Sequence, residues 1–330
     1  MKNYKFYLSD IDGDTSLKKI SFFGGAGFIG SSIVKILANK GFEIKIATRN
    51  PYDEDVIQLK SSCGDPGQIS LHKVNINSKD QIETFIKDSN ICINLVGILY
   101  EKSQNTFQKI HTEFVSNLVE AVKKQNSIKH FIHFSSLGVK SGTESKYLES
   151  KFKAEELIKE NLENYTIIKP SVVYGGGEND FTNMFAKLAK LFPIIPLANS
   201  NVKFQPVYVG DIAKGIEKII DEEIKKETFE FVGDEIFTLE ELVKIISNEI
   251  RAKNIIIPIP SWAGRMQGRI LQLAPKPMLT LDQIKTLESG DNIATNNNKT
   301  LKDLIVDLEG IRKIIPNYLY RFRPEGQFSS

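Results

Sequence analysis

At 330 residues the chain exceeds the usual size of a single simple core, so one large α/β domain carrying a smaller lobe is expected. Lys and Arg total 43 against 41 Asp and Glu, a net charge of +2 without a long basic run, so no nucleic-acid partner is expected. No apolar stretch reaches the ~20 residues that span a bilayer, and Cys63 and Cys92 have neither the count of a disulfide framework nor the spacing of a zinc site, so no metal is expected.

Residues 1–17 read as a polar arm, since they lack the apolar core of a signal peptide and carry acidic residues that a transit peptide avoids. Apolar, β-branched runs then alternate with helical periodicity. Strands are expected at Lys19–Phe23, Glu43–Thr48, Ile69–Val74, Ile91–Val96, His130–Ser135 and Tyr165–Lys169. Helices are expected at Ile29–Lys40, Lys79–Asp88, Thr106–Lys124 and Tyr147–Glu160. That order predicts a Rossmann-type, doubly wound parallel sheet over residues 18–225.

Beyond Pro170 a Gly-rich turn, "YGGGEND", leads to a helix near Phe181–Leu191, then a short strand and a helix capped by Asp211. Residues 226–330 are expected to form a smaller α/β lobe over the carboxyl ends of the strands. It would hold a strand in "TFEFVG", a helix from "TLEELVKIISNEI", a strand in "IIIPIP", and helices near Trp262–Leu273, Leu281–Leu287 and Thr300–Ile315, with "ATNNNKT" as a solvated link. Trp262, Met266, Ile270 and Leu273 recur at helical spacing beside Arg265 and Arg269. A helix packed into the lobe core is expected there, a surface for lipid or protein being the alternative.

The stretch "SFFGGAGFIGSSIVKILANKGFEIKIATRNP" carries Gly24, Gly27 and Gly30 between an apolar strand and a helix. Gly24 allows a tight turn, Gly27 lets the backbone near a pyrophosphate, and Gly30 lets helix and strand pack closely. The amides about Phe28 and Ile29 at the helix start would supply donors. A nicotinamide dinucleotide is the ligand this context predicts. The next strand ends in Thr48, Arg49 and Asn50 with no carboxylate for the ribose hydroxyls, and Arg49 could pair with a 2′-phosphate. NADPH is therefore expected over NADH, which stays open as the alternative. Asn75 and Ile76 after the third strand would lie by the adenine, and Val96 and Gly97 after the fourth would pass the cofactor closely.

"YLESK" puts Tyr147 and Lys151 on one helical face. An ammonium there would lower the phenol from its ordinary pKa of about 10 and allow proton exchange near neutrality. The same lysine could hold the nicotinamide ribose.

Through "GGAGFIG", "FIHFSS", "YLESK" and "IIKPSVVYG", residues 18–220 resemble the extended and atypical short-chain dehydrogenase/reductase superfamily, the NAD-dependent epimerase/dehydratase type. The resemblance implies Tyr147 as general acid/base, Lys151 as its orienting partner, Ser135 and Ser136 near the reacting oxygen, and Pro170, Ser171, Val172 and Val173 along the nicotinamide. The chain departs from the pattern at Leu137, where relatives carry a third Ser or Thr, so Ser136 could act only from a shifted backbone. It departs again at His111, where relatives carry Asn; His111 reads as a satisfied helix histidine or as a replacement relay.

"LTLDQIKTLESGDNI" and "IPNYLYRFRPEGQF" narrow the resemblance to the branch related to the NAD(P)H-binding accessory subunit of respiratory complex I and its bacterial relatives. That branch implies a tightly held NADPH with a structural or regulatory role, near complex I or a quinone-related assembly. The place implied is the inner side of a respiratory membrane, peripherally, or the cytoplasm of a bacterium. Two readings stay open: such a holder of cofactor, or an active NADPH-dependent oxidoreductase or epimerase acting on a small carbonyl or quinone-like substrate through Tyr147 and Lys151.

Overall fold

A computed structural model describes residues 18–177 and 180–324. The expected arm, 1–17, and the last residues of "IPNYLYRFRPEGQF" lie outside the described residues. Six strands, β1 (Lys19–Phe23), β2 (Glu43–Thr48), β3 (Ile69–Lys73), β4 (Ile91–Asn94), β5 (His130–Phe134) and β6 (Tyr165–Pro170), stand in the parallel order β3-β2-β1-β4-β5-β6. The order reverses between β1 and β4, where an open α/β sheet leaves a crevice at its carboxyl ends. The Rossmann-type expectation is borne out.

Helices α1 (Phe28–Asn39), α2 (Glu54–Ser62), α3 (Lys79–Ile86), α4 (Phe114–Lys124) and α5 (Lys146–Asn161) supply the crossovers. On one face Ile33 and Leu37 of α1 meet Ile212 and Ile216 of the helix Val209–Asp221 across the sheet core. On the other, Ile82, Phe114, Leu118 and Ile158 of α3, α4 and α5 cover Phe23, Cys92 and Phe131. Burial on both faces explains why the strands read as nearly continuous apolar runs. Helix α2 was not expected: only Val56 and Leu59 of its nine residues are buried, too few for a legible apolar stripe.

The strand Glu227–Phe231, placed by sequence in the smaller lobe, pairs instead with β6 and continues the main sheet, followed by Lys299–Thr300. Phe229 and Phe231 are fully buried in the main sheet core with Ile216 and Leu301, not in the lobe core. "ATNNNKT" is solvated as expected at Thr295–Asn297 and Lys299, but it is anchored to the main sheet rather than to the lobe, because Thr295 and Asn298 donate to the buried carboxylate of Glu230 on that strand. The helix expected over Thr300–Ile315 breaks into a 3₁₀ turn, Leu301–Asp303, and a short helix, Ile311–Ile314. Leu301 belongs to the sheet core and Ile311 to the lobe core, so one straight helix cannot serve both. Asp211 is not a cap: Tyr208 holds that position, and buried Asp211 accepts from the Glu309 N–H (2.7 Å) and Lys214 (3.1 Å).

The lobe has its own core, in which Phe185, Leu242, Ile246, Ile311 and Ile315 interlock. Its helix Leu239–Glu249 starts with a capping box of Thr238 and Glu241, as "TLEEL" predicts. The helix Ser261–Leu271 departs from expectation. It buries Gly264 and Gly268 and leaves Trp262, Met266 and Ile270 exposed.

Candidate functional site

The crevice begins where β1 runs into Gly24, whose φ of +81° is a left-handed conformation that side chains disfavour. A Cβ on Gly30 would lie 2.2 Å from the Gly24 carbonyl oxygen, so only glycine lets α1 settle onto the loop. Gly27 precedes the helix with its own N–H bonded to Gly24 O (3.1 Å). Among the described residues, neither a capping side chain nor an acidic first turn covers the helix start. Its free amides and positive dipole end therefore face the crevice, a geometry suited to linked phosphates.

At the end of β2, on the same side of the switch point as the glycine turn, Thr48 Oγ1 accepts from the Asn50 N–H and Asn50 Oδ1 from the Tyr52 N–H, both at 3.2 Å. This tight turn presents Arg49 outward. Arg49 lines a cleft of about 840 Å³ with Lys45, Lys73 and Asn75 beside α3, so the region around the expected adenosine end is cationic. Ile76 and Val96 pack, half-buried, against the core beneath.

Beyond β4, Asn94 Oδ1 accepts from the Val96 N–H (3.0 Å) and turns the chain into exposed Gly97. A Cβ on Gly97 would lie 3.4 Å from Lys151 Nζ and 3.5 Å from His111 Nε2. The fourth-strand loop and the Tyr/Lys helix thus meet at Gly97.

Tyr147 and Lys151 rise from the first turns of α5, whose cap Ser145 accepts from the Leu148 N–H. Lys151 is buried and donates to Phe134 O (3.0 Å). Burial lowers its pKa to about 8, against a smaller upward pull from Glu155. Tyr147 is half-buried, its ring edge-on to Phe107 (5.7 Å) and His111 (5.5 Å). The expected downward shift of its phenol is overturned. Burial pushes the pKa up, a hydrogen bond with Ser136 pulls it down, and Asp282 raises it again. Lys151 is spent on the Phe134 carbonyl and on its own desolvation. Ser136 still pulls the phenol down, although its own hydroxyl donates to Leu137 O (3.3 Å) and Leu137 is buried with its N–H on Pro170 O (2.9 Å).

His111 lies in a π-helical turn, Gln108–Glu113, of a kind that often marks functional sites. Its Nε2 accepts from the Ile98 N–H (3.0 Å), so Nδ1 carries the proton and donates to Ser150 Oγ (2.9 Å), which donates to Tyr147 O (2.8 Å). Both nitrogens are used, which favours the satisfied histidine over the relay. Two other expected site residues turn away from the crevice. Ser135 donates to buried Glu155 (2.5 Å), and buried Ser171 donates to Asn292 Oδ1 (2.6 Å).

Three contributors were missed by sequence reasoning. Asp282, on the lobe helix Leu281–Glu288, accepts from the Lys146 N–H (2.7 Å), the Tyr147 N–H (3.1 Å) and Ser145 Oγ (3.0 Å). It thereby places a carboxylate on the positive end of α5. Asn292 bonds to Ser171 and Leu137 O. His133 is buried with Nδ1 3.2 Å from Asn94 Nδ2 and, among the described residues, with no hydrogen-bond partner at Nε2. Local motifs carried no signal for these, since each partner is distant in the chain. A second hollow, of about 360 Å³, lies between the lobe and the Tyr147 helix, lined by Tyr100, Phe107, Lys146, Pro277 and Asp282.

The NmrA-like family profile matches residues 16–262. The NADH dehydrogenase [ubiquinone] 1 alpha subcomplex subunit 9 of Dictyostelium discoideum is 31% identical over 93% of this chain and 85% of its own. The NADH-ubiquinone oxidoreductase 40 kDa subunit of Neurospora crassa is 25% identical over 97% of this chain and 82% of its own. Among solved structures, a dTDP-glucose 4,6-dehydratase from Bacillus anthracis in complex with NAD has the same fold, with a TM-score of 0.66 at 17% identity, covering 92% of this chain and 95% of its own.

Proposed function

The chain belongs to the NmrA-like family and is a relative of complex I alpha-subcomplex subunit 9, and from that premise we propose that it holds a nicotinamide dinucleotide chiefly for structural or regulatory ends. Gly24, Gly27 and Gly30, with the amides of Phe28 and Ile29, would take the pyrophosphate. Thr48, Arg49 and Asn50 would face the adenosine ribose, with Asn75, Ile76 and Val96 near the adenine. Gly97, Tyr147 and Lys151 would meet the nicotinamide ribose, and Pro170, Val172 and Val173 the ring. When bound, the nicotinamide supplies or accepts a hydride.

The observation that carries this reading is the clamp at Tyr147. Asp282 fixes the start of α5 to the lobe, while burial and that carboxylate raise the phenol's pKa rather than preparing it to exchange protons near neutrality. A second reading, turnover of a small carbonyl or quinone-like substrate, is favoured by one feature, the downward pull of Ser136 on the phenol.

The two readings separate in solution. A holder retains its dinucleotide through purification, shows no NADPH oxidation with carbonyl or quinone acceptors, and is indifferent to Tyr147→Phe. Turnover that Tyr147→Phe abolishes while cofactor retention stays intact would replace the first reading with the second.

The cationic turn supports NADPH over NADH, and the similarity to complex I subunits supports a place near a respiratory complex. Replacing Arg49 with Asp is expected to weaken NADPH roughly ten- to hundredfold, since a charge-assisted hydrogen bond contributes about 1.5–3 kcal/mol. NADH should change only a few-fold, as measured by fluorescence titration of both. Equal losses would remove the 2′-phosphate assignment.

A further inference from the structure

The helix Ser261–Leu271 is built inside out. An amphipathic helix normally turns its apolar stripe to the core, yet here Trp262 is 69%, Met266 53%, Ile270 62% and nearby Leu273 82% exposed. The packed face is glycine: a Cβ on Gly264 would lie 2.5 Å from Ala198 Cβ, and one on Gly268 3.0 Å from the Thr280–Leu281 backbone. Because the close approach admits only glycine inward, the large apolar residues at helical spacing point out.

The surface continues into the strand that precedes this helix. Ile255 (63%) and Ile257 (44%) stand exposed on the strand Ile255–Ile259, which among the described residues pairs only with Ile194–Ala198. From Ile250 to Leu281 there is no Asp or Glu, whereas Arg251, Lys253, Arg265, Arg269 and Lys276 all occur there. Arg265 is bridged to Glu288 and Glu144, but Arg269 and Lys276 are exposed beside the apolar stripe.

We propose that this face lies on an anionic lipid bilayer, the apolar side chains entering the headgroup boundary and Arg269 and Lys276 meeting lipid phosphates. An exposed apolar stripe flanked by cations is the physical requirement for interfacial binding. No helix among the described residues is long and apolar enough to cross a membrane, so the contact is in-plane. A second copy fits less well, because a two-fold contact would set the cations of one copy against those of the other. The proposal is independent of the cofactor reading.

Trp262 is the only tryptophan in the chain, so its emission reports this face alone. The full-length protein, titrated with phosphatidylcholine vesicles containing phosphatidylglycerol, is expected to co-sediment and to shift its Trp262 emission to the blue. Binding should be at least about tenfold weaker on pure phosphatidylcholine, at high salt, or in an Arg269→Glu, Lys276→Glu variant, since each cation near an anionic surface contributes about 1 kcal/mol. Met266→Ser with Ile270→Ser should abolish the shift while moving the thermal midpoint by no more than a few degrees, because both side chains are largely exposed. Unshifted emission with anionic vesicles, or undiminished binding by the serine variant, overturns the proposal. So does an emission change that follows protein concentration without lipid, which would assign the face to a second copy.

Discussion

Lowering the pH from about 7 to about 5.5 is expected to reduce folding stability by roughly 4 kcal/mol, from three buried histidines alone. His111, His130 and His133 are all under 4% exposed. Burial lowers His130 to about 4 and holds His111 and His133 further below their ordinary value, with the Lys151 ammonium adding to the effect at both. In the unfolded chain each takes up a proton near pH 6.5. Between that pH and the folded pKa, the unfolded state therefore binds more protons than the native one, and stability falls as pH falls. Each histidine contributes up to about 1.4 kcal/mol per pH unit in this window and almost nothing above it. Urea unfolding at a series of pH values reads the slope directly. His133→Asn should flatten it by about a third, since it removes one of three titrating groups. A stability that is level from pH 7 to 5.5 would show that these rings can be protonated in the fold.

Removing the Asp282 carboxylate is the second large effect. In Asp282→Ala the Lys146 and Tyr147 N–H groups and the Ser145 hydroxyl lose a common acceptor, and the positive end of α5 loses its anion. Hydrogen bonds to a charged acceptor contribute about 1.5–3 kcal/mol each, but the partners at the exposed edge recover water, so a net loss of about 3 kcal/mol is expected. Asp282→Asn should cost about half as much, because it keeps an acceptor without the charge. The same substitution bears on the site. Asp282 raises the Tyr147 pKa, so a lower phenol pKa in the variant, read by ultraviolet titration, should accompany the lost stability. A cost below about 1 kcal/mol would mean that the lobe does not clamp α5.

How much of the site was legible depends on the separation of its parts. Gly24, Gly27 and Gly30 form their turn with one another, and Tyr147 and Lys151 share one helix, so local spacing was enough to place them. Ser136 pulls the Tyr147 phenol down despite Leu137, an influence that the local pattern argued against. The outward turn of Arg49 follows from hydrogen bonds within Thr48–Tyr52. The state of the phenol was misjudged, because an i,i+4 spacing says which residues share a face but not what else competes for the ammonium. Phe134 O and burial take Lys151, and neither is visible in "YLESK".

Amino-acid order by itself determined the alternating elements, the parallel Rossmann-type sheet and the glycine turn, because strand and helix periodicities and turn chemistry act over a few residues, while the family followed from the resemblance of its motifs. Tertiary structure alone decided that Glu227–Phe231 extends the main sheet, that Asp282 and Asn292 lock the lobe to the Tyr147 helix and its flanking loop, and that the Trp262 helix faces outward. These outcomes depend on which surfaces reach one another after long chain excursions. Close backbone approach at Gly264 and Gly268, rather than hydrophobicity, chose the buried face of that helix.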